Sequence, residues 1–283
     1  MGVGAWQYGG EWGQRFTQPD VDAILDQAES DGVNLIDTAE CYGDHLSERL
    51  IGDYLARRGR GGWIVATKFG HEFTGFLSRR DDFSPTGVVR QLEASLQSLR
   101  IETIDLYQFH SGGDDAFLNE DLWNALAREQ HAGKIRHLGV SIPGKGSVVQ
   151  AREARRLGAE VLQVIYNRLD RRPEKDYLPH ARAHNLGVLA RVPLASGLLS
   201  GKYQAGADFP ADDFRSTLGR ERIDRDLRAV EELRAEVPPD VPMSRWALAW
   251  CLKDPAVSAV IPGCRNPEQA HANALAADLV GES

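Results

Sequence analysis

Four side chains able to hold or move a proton, Asp37, Tyr42, Lys68 and His110, lie at or just beyond the ends of three strand-like runs. Asp37 closes the apolar start of residues 34–43 (NLIDTAECYG), and Tyr42 follows five residues later. Lys68 comes near the end of WIVATKF, and His110 ends IDLYQFH. A buried strand rarely ends in a carboxylate unless a partner is waiting, and Lys68 is the candidate partner. A neighbouring ammonium favours the phenolate, so Lys68 is expected to lower the Tyr42 pKa from its reference near ~10. At about 4 Å the attraction is about 4 kcal/mol for an effective dielectric of about 20, enough to matter. Asp37 would keep Lys68 charged and aimed, and His110 would donate a hydrogen bond to a carbonyl or assist a proton relay. Each residue alone has a plain structural explanation: a turn cap, a solvated strand end, a core histidine, a packing aromatic. Their succession at strand C-termini, where chemistry collects in alternating β/α chains, points to a proton-transfer site.

The elements that must position them alternate along the whole chain. Strand-like runs are read at residues 2–6, 34–39, 63–69, 104–110, 135–142, 161–167, 187–194 and 258–263. Helical spacing fills the intervals at 20–29, from Ser47 as a cap, from Ser84-Pro85 to about 99, at 119–131, 147–157, 174–184, 223–237 and 242–253. Asn266-Pro267 opens the last helix. A polar loop is expected after the third strand, and a longer connection over 195–220. Eight strands, each followed by at least one helix, predict a single-domain (β/α)8 barrel over residues 1–283.

Composition narrows the function classes. Hydrophobic and charged fractions of 42% and 26% are those of a soluble globular chain. No run approaches the roughly 18 apolar residues of a membrane span, and the start lacks the pattern of a signal peptide. A net charge of −8 argues against nucleic acid or anionic membrane as the main partner. Cys41, Cys251 and Cys264 lack metal-like or CxxC spacing and fit a reducing cytoplasm, with Cys41 read as a packed thiol. No GxGxxG follows a strand, so a Rossmann site is not expected. Gly144-Lys145-Gly146-Ser147 has the composition of a phosphate loop without its spacing. No HExxH or clustered His/Cys set supports a metal, which removes a metal-dependent isomerase from consideration.

The order and spacing of these residues resemble the aldo-keto reductase family over essentially the whole chain. The match rests on the Asp37/Tyr42 segment, ATKF at 66–69, IDLYQFH at 104–110, GVS at 139–141, PLASGLLSGK at 193–202, and IPGCR at 261–265 with Gln269 and Asn273. The resemblance implies a (β/α)8 barrel that binds NADPH/NADP+ extended, without a Rossmann motif. It places Asp37, Tyr42, Lys68 and His110 on a catalytic tetrad, with Tyr42 as general acid in carbonyl reduction. Ser141 and Gln163 would hold the nicotinamide carboxamide. Pro193, Leu194, Ser196, Gly197, Leu199, Gly201 and Lys202 would wrap the pyrophosphate. Gly263, Arg265, Gln269 and Asn273 would serve the other end of the cofactor, Arg265 meeting the 2′-phosphate. Trp6 would face the substrate, along with loops at 71–83, 111–117 and 195–220.

Departures from the family pattern fall on cofactor contacts. Ile142 stands where many members have Asn, Arg191 where a Tyr often stacks on the nicotinamide, and Ala272 where a Glu is common near the adenine. A planar guanidinium can stack as well. The family's usual hairpin at the lower barrel mouth has no room before the first strand, so a late start or a shortened strand is expected. The leading expectation is an NADPH-dependent reductase of small aldehydes or ketones. The alternative is a cofactor-binding, redox-sensing regulatory subunit with little turnover, as the family's potassium-channel β-subunits suggest. The intact tetrad favours the enzyme.

Overall fold

The short apolar runs fold as parallel strands that close on themselves in a computed structural model, which describes residues 1–281. The first half contains β1 (Val3–Gly4), α1 (Gln18–Ser30), β2 (Leu35–Asp37), α2 (Leu46–Arg58) and β3 (Ile64–Phe69). A hairpin of β4 (His71–Gly75) and β5 (Ser78–Asp81) precedes α3 (Pro85–Leu99) and β6 (Ile104–His110). Then come α4 (Asp114–Phe117), α5 (Glu120–His131), β7 (Ile135–Ser141), α6 (Val148–Glu153) and β8 (Val161–Ile165). The last part holds α7 (Pro173–Asp176), α8 (Leu178–His184), β9 (Gly187–Arg191), α9 (Arg220–Leu233), α10 (Met243–Leu252), β10 (Ala259–Val260) and α11 (Pro267–Ala274). The eight-stranded sheet runs β1-β2-β3-β6-β7-β8-β9-β10, and a parallel bridge between Gly4 and Gly263 joins its edges. The fold is the expected (β/α)8 barrel.

Strand periodicity sorts the residues into two environments. Outward side chains such as Val65, Phe69, Tyr107, Val140, Leu162 and Val188 pack under the helices in the main core. Inward, Leu35, Ala66, Leu106, Leu189 and Ile261 form a separate apolar layer inside the barrel. Two residues further along three of these strands, the inward positions become Asp37, Lys68 and Gln108. The change from apolar to polar within one barrel is the step that builds the site.

Side-chain caps set several helix starts. Ser84, Asn119, Ser147 and Asn266 each accept a hydrogen bond from a first-turn backbone N–H. Ser47 does not cap α2. It is buried, donates to the Ala5 carbonyl at 3.0 Å and accepts from Thr38 Oγ1 at 2.8 Å, while His45, at φ 62°, precedes the helix. The expected polar loop after β3 is the antiparallel hairpin β4–β5, whose alternation is hidden because little of it is buried. The helix expected over 174–184 is divided between α7 and α8 at Tyr177. Pro179 has no N–H to donate, and its ring crowds the carbonyl four residues earlier.

Gly52 in α2 meets the end of α3: a Cβ there would lie 2.3 Å from the Ser98 carbonyl oxygen and 2.8 Å from the Leu99 carbonyl carbon. In an open helix Gly→Ala gains up to about 1 kcal/mol. At this contact overpacking reverses the sign, and Gly52→Ala should destabilise by about 1–3 kcal/mol. Urea unfolding measures it, and an unchanged or raised midpoint contradicts the packing argument.

Candidate active site

Register explains why three of the four sequence-selected residues meet, and the turn after β2 brings Tyr42 to them. Asp37 pairs with Ala66, Lys68 lies two residues on, and Lys68 pairs with Gln108, two residues before His110. All therefore face into the upper barrel. Lys68 Nζ donates to Asp37 Oδ1 and to the Thr38 carbonyl, each at 2.6 Å, and lies 3.4 Å from Tyr42 Oη. The other Asp37 oxygen accepts from Gln108 Nε2 at 3.0 Å and Gln163 Nε2 at 2.7 Å. Lys68 and Asp37 are both buried, so neither charge is solvated and each depends on these partners.

The environment sets opposite proton preferences at neighbouring groups. Burial works against the Lys68 ammonium, but Asp37 and Tyr42 outweigh it and raise its pKa above the ordinary lysine value. Burial pushes the Tyr42 phenol above its ordinary value, Lys68 pulls the other way, and Asp37 adds to the rise. The expected lowering by Lys68 is thus present but overcome, because the phenol is buried as well as paired. A raised pKa keeps the proton on Tyr42 at neutral pH, which suits a proton donor. Burial, with the nearby charges of His71, Lys68, Arg79 and Arg191, holds His110 well below the ordinary histidine value, so its ring is neutral.

A cleft of about 280 Å³ opens over this group. Its walls include Trp6, Asp37, Tyr42, Gln163 and Arg191, then Pro193, Leu194, Ser196, Gly197 and Lys202, and finally Gly263, Arg265, Gln269 and Asn273. Lys68, His110, Ser141, Leu199 and Gly201 do not line it. Ser141 is buried behind Gln163, 3.5 Å away, and Leu199 packs in a second apolar cluster with α9 and α10. Gly201 takes a left-handed turn at φ 76° that ends the Ala195–Ser200 turn of 3-10 helix. Arg191 donates to the Ile142 carbonyl at 2.9 Å and leaves its Nε buried without a partner. Ala272 also lines the cleft. The unpartnered Arg191 Nε, Lys202 without an ion pair among the described residues, and the glycine backbone at 197 and 263 suit an anionic, extended ligand.

Some site residues gave no signal in the sequence. Trp12 and Phe214 pack on Trp6 with ring centroids 5.1 and 4.7 Å away, and Trp6 stacks on Tyr42 at 6.0 Å. Arg215 is buried, donates in a fork to Asp213, and sits 4.0 Å over the Phe209 ring. Arg265 donates to the Trp12 carbonyl at 2.9 Å and lies 3.6 Å from Asp213. These contacts tie the 195–220 connection to both ends of the chain. Glu40 and Cys41, adjacent in the chain, are brought together with His110 from β6, all three buried, although no spacing motif joins them.

A closed parallel barrel thus gathers Asp37, Lys68, Tyr42 and His110 at the C-terminal ends of its strands. The Aldo/keto reductase family model matches residues 1–281, and the chain belongs to that family. It is 30% identical to the aldo-keto reductase yakc of Schizosaccharomyces pombe, named for NADP(+), over 86% of this chain and 73% of that one. It is 30% identical to the NADH-specific methylglyoxal reductase of Escherichia coli, over 99% of this chain and 90% of that one. The solved glycerol dehydrogenase AKR11B4 of Gluconobacter oxydans superposes with a TM-score of 0.82 at 32% identity, covering 96% of this chain and 84% of that one. Among the described residues no helix is long and apolar enough to cross a membrane.

Behind Lys68, buried Glu48 accepts from Thr67 Oγ1 at 2.6 Å and faces His45 Nδ1 at 2.5 Å. It thereby joins the residue before Lys68 to the turn after Tyr42. Burial disfavours the His45 cation, but Glu48 outweighs it and raises the pKa. The folded state therefore holds this proton more tightly than the unfolded chain. The resulting stability is complete below the unfolded pKa near ~6.5 and is lost as pH rises through the higher folded value. Between about pH 6 and pH 8 the parent's Tm should fall more steeply than that of His45→Gln. Parallel pH profiles in differential scanning fluorimetry contradict the assignment.

Proposed function

We propose that the chain reduces small aldehydes or ketones to alcohols with NADPH, Tyr42 serving as general acid. The observation that supports this most is the placement of buried Lys68 Nζ between Asp37 Oδ1 and Tyr42 Oη, two residues that line the cleft. When bound, NADPH supplies a hydride to the carbonyl carbon. The carbonyl oxygen then becomes an alkoxide in a water-poor site, and the Tyr42 proton quenches it as it forms. Neutral His110 offers an N–H to the same oxygen without adding a competing charge. Lys68 stabilises the phenolate left on Tyr42, and Asp37 with Gln108 and Gln163 keeps Lys68 in place. Gln163, beside Asp37 and with Ser141 hydrogen-bonded behind it, would meet the carboxamide, and Arg191 would offer its planar face and unpartnered Nε at the position of the missing ring.

Tyr42→Phe keeps the ring and its stacking on Trp6 but removes the proton. Turnover should fall at least ~100-fold with cofactor affinity little changed, and Lys68→Met should cost similarly without adding to it. Oxidation of NADPH across a panel of carbonyls measures both. Near-parent rates in Tyr42→Phe would turn the reading toward a cofactor-binding regulatory subunit.

The cofactor preference rests on Arg265. It precedes the capped start of α11, where a helix N-terminus already favours a phosphate. Asp213 is engaged by the Arg215 fork, so Arg265 keeps donors for a 2′-phosphate. A charge-assisted bond of roughly 1.5–3 kcal/mol predicts that Arg265→Ala weakens NADPH about 10- to 100-fold and spares NADH. Equal losses for both, read by fluorescence titration, remove the assignment.

A further inference from the structure

We propose that Glu40, Cys41 and His110 form a binding site for a thiophilic divalent cation, zinc above others, beside Tyr42. One candidate ligand atom from each residue lies within 4.8 Å of the other two, and all three residues are buried. Cys41 Sγ and His110 Nδ1 are 3.7 Å apart. Zinc bonds of about 2.3 Å to sulfur and about 2.0–2.1 Å to nitrogen place two tetrahedral ligands roughly 3.6 Å apart. That edge of the tetrahedron is already at bonding distance. The Glu40 oxygen has to approach by about 1 Å, within the reach of a side-chain rotation.

Glu40 provides the independent indication of a ligand. Its Oε1 accepts from the His71 backbone N–H at 3.0 Å, while Oε2 is buried with no partner. Burying such an oxygen unsatisfied is costly, and native structures seldom leave one so. The nearby cation Arg79 is turned toward Glu11, 3.6 Å away. A thiolate and a carboxylate carry two negative charges, so a divalent ion leaves the buried group neutral overall. Sulfur and imidazole donors select zinc over magnesium or calcium, and three protein ligands leave one tetrahedral position open. Binding exchanges ligand protons for the ion. If Tyr42 and His110 act as proposed above, the ion ties up the imidazole and slows turnover.

The test uses full-length reduced protein titrated with Co²⁺, whose thiolate complexes absorb in the near ultraviolet. The expected result is a charge-transfer band that saturates at one equivalent and is displaced by Zn²⁺. Cys41→Ser should abolish the band, and Glu40→Gln should weaken affinity at least about 10-fold. A Cys251→Ser/Cys264→Ser double variant should leave the band unchanged. Should Cys41→Ser not fold, Glu40→Gln and the double variant decide the matter. Absence of the band in the parent, its survival in Cys41→Ser, or its loss in the double variant overturns the site. Zinc inhibition of NADPH oxidation is followed in parallel. A parent that binds cobalt but reduces no carbonyl counts against the reductase reading alone.

Discussion

The pair between Lys68 and Asp37, closed at 2.6 Å inside the barrel, constrains everything around it. Two charges withdrawn from water are not a source of stability in themselves, since their desolvation offsets their attraction. Removing either partner is a different matter, because the survivor is left buried and uncompensated at about 3–5 kcal/mol. The neighbouring strands are arranged accordingly. Gln108 and Gln163 come from β6 and β8 to saturate the remaining Asp37 oxygen, and the Thr38 carbonyl accepts from the ammonium. An apolar layer lies directly beneath, so the polar layer is confined to one level of the barrel. Slipping any of these strands by one residue would exchange this layer for outward-facing core side chains.

The same dryness divides the titrating groups by what they can give. The phenol keeps its proton, the imidazole stays uncharged, and only the lysine, because of its carboxylate, remains firmly cationic. In water these groups would differ far less in their readiness to exchange protons with solvent. Aromatic rings from Trp6, Trp12 and Phe214 close the side of the cleft next to Tyr42 and help exclude it.

Much of this could be read in the sequence, for physical reasons that also mark its limits. Eight strands, their order and the four residues at the barrel mouth were legible because a parallel strand buried on both faces is an apolar run that ends abruptly. Caps at Ser84 and Asn266 were legible because a short polar side chain before a helix has a local role. The β4–β5 hairpin was not, since strands with little burial have no reason to alternate. Ser47 looked like a cap and instead serves a contact with Ala5, far away in the chain. Lys68 was expected to lower the Tyr42 pKa, but a sequence shows partners more readily than depth of burial. The meeting of Cys41 with His110 depends on strand packing across the barrel, and no spacing motif encodes it.

The cluster formed by Trp6, Trp12 and Phe214 joins the first residues of the chain to the connection after β9. Of the six tryptophans, only Trp6 and Trp12 line the cleft. The molecule thus carries an intrinsic optical probe at its mouth, while Trp63 and Trp123 emit from the core. A reduced nicotinamide absorbs where indoles emit, so a dinucleotide lying beside these two rings would quench them by energy transfer. Emission from this corner then reports how the connection settles over a ligand, with no label attached and no substrate required.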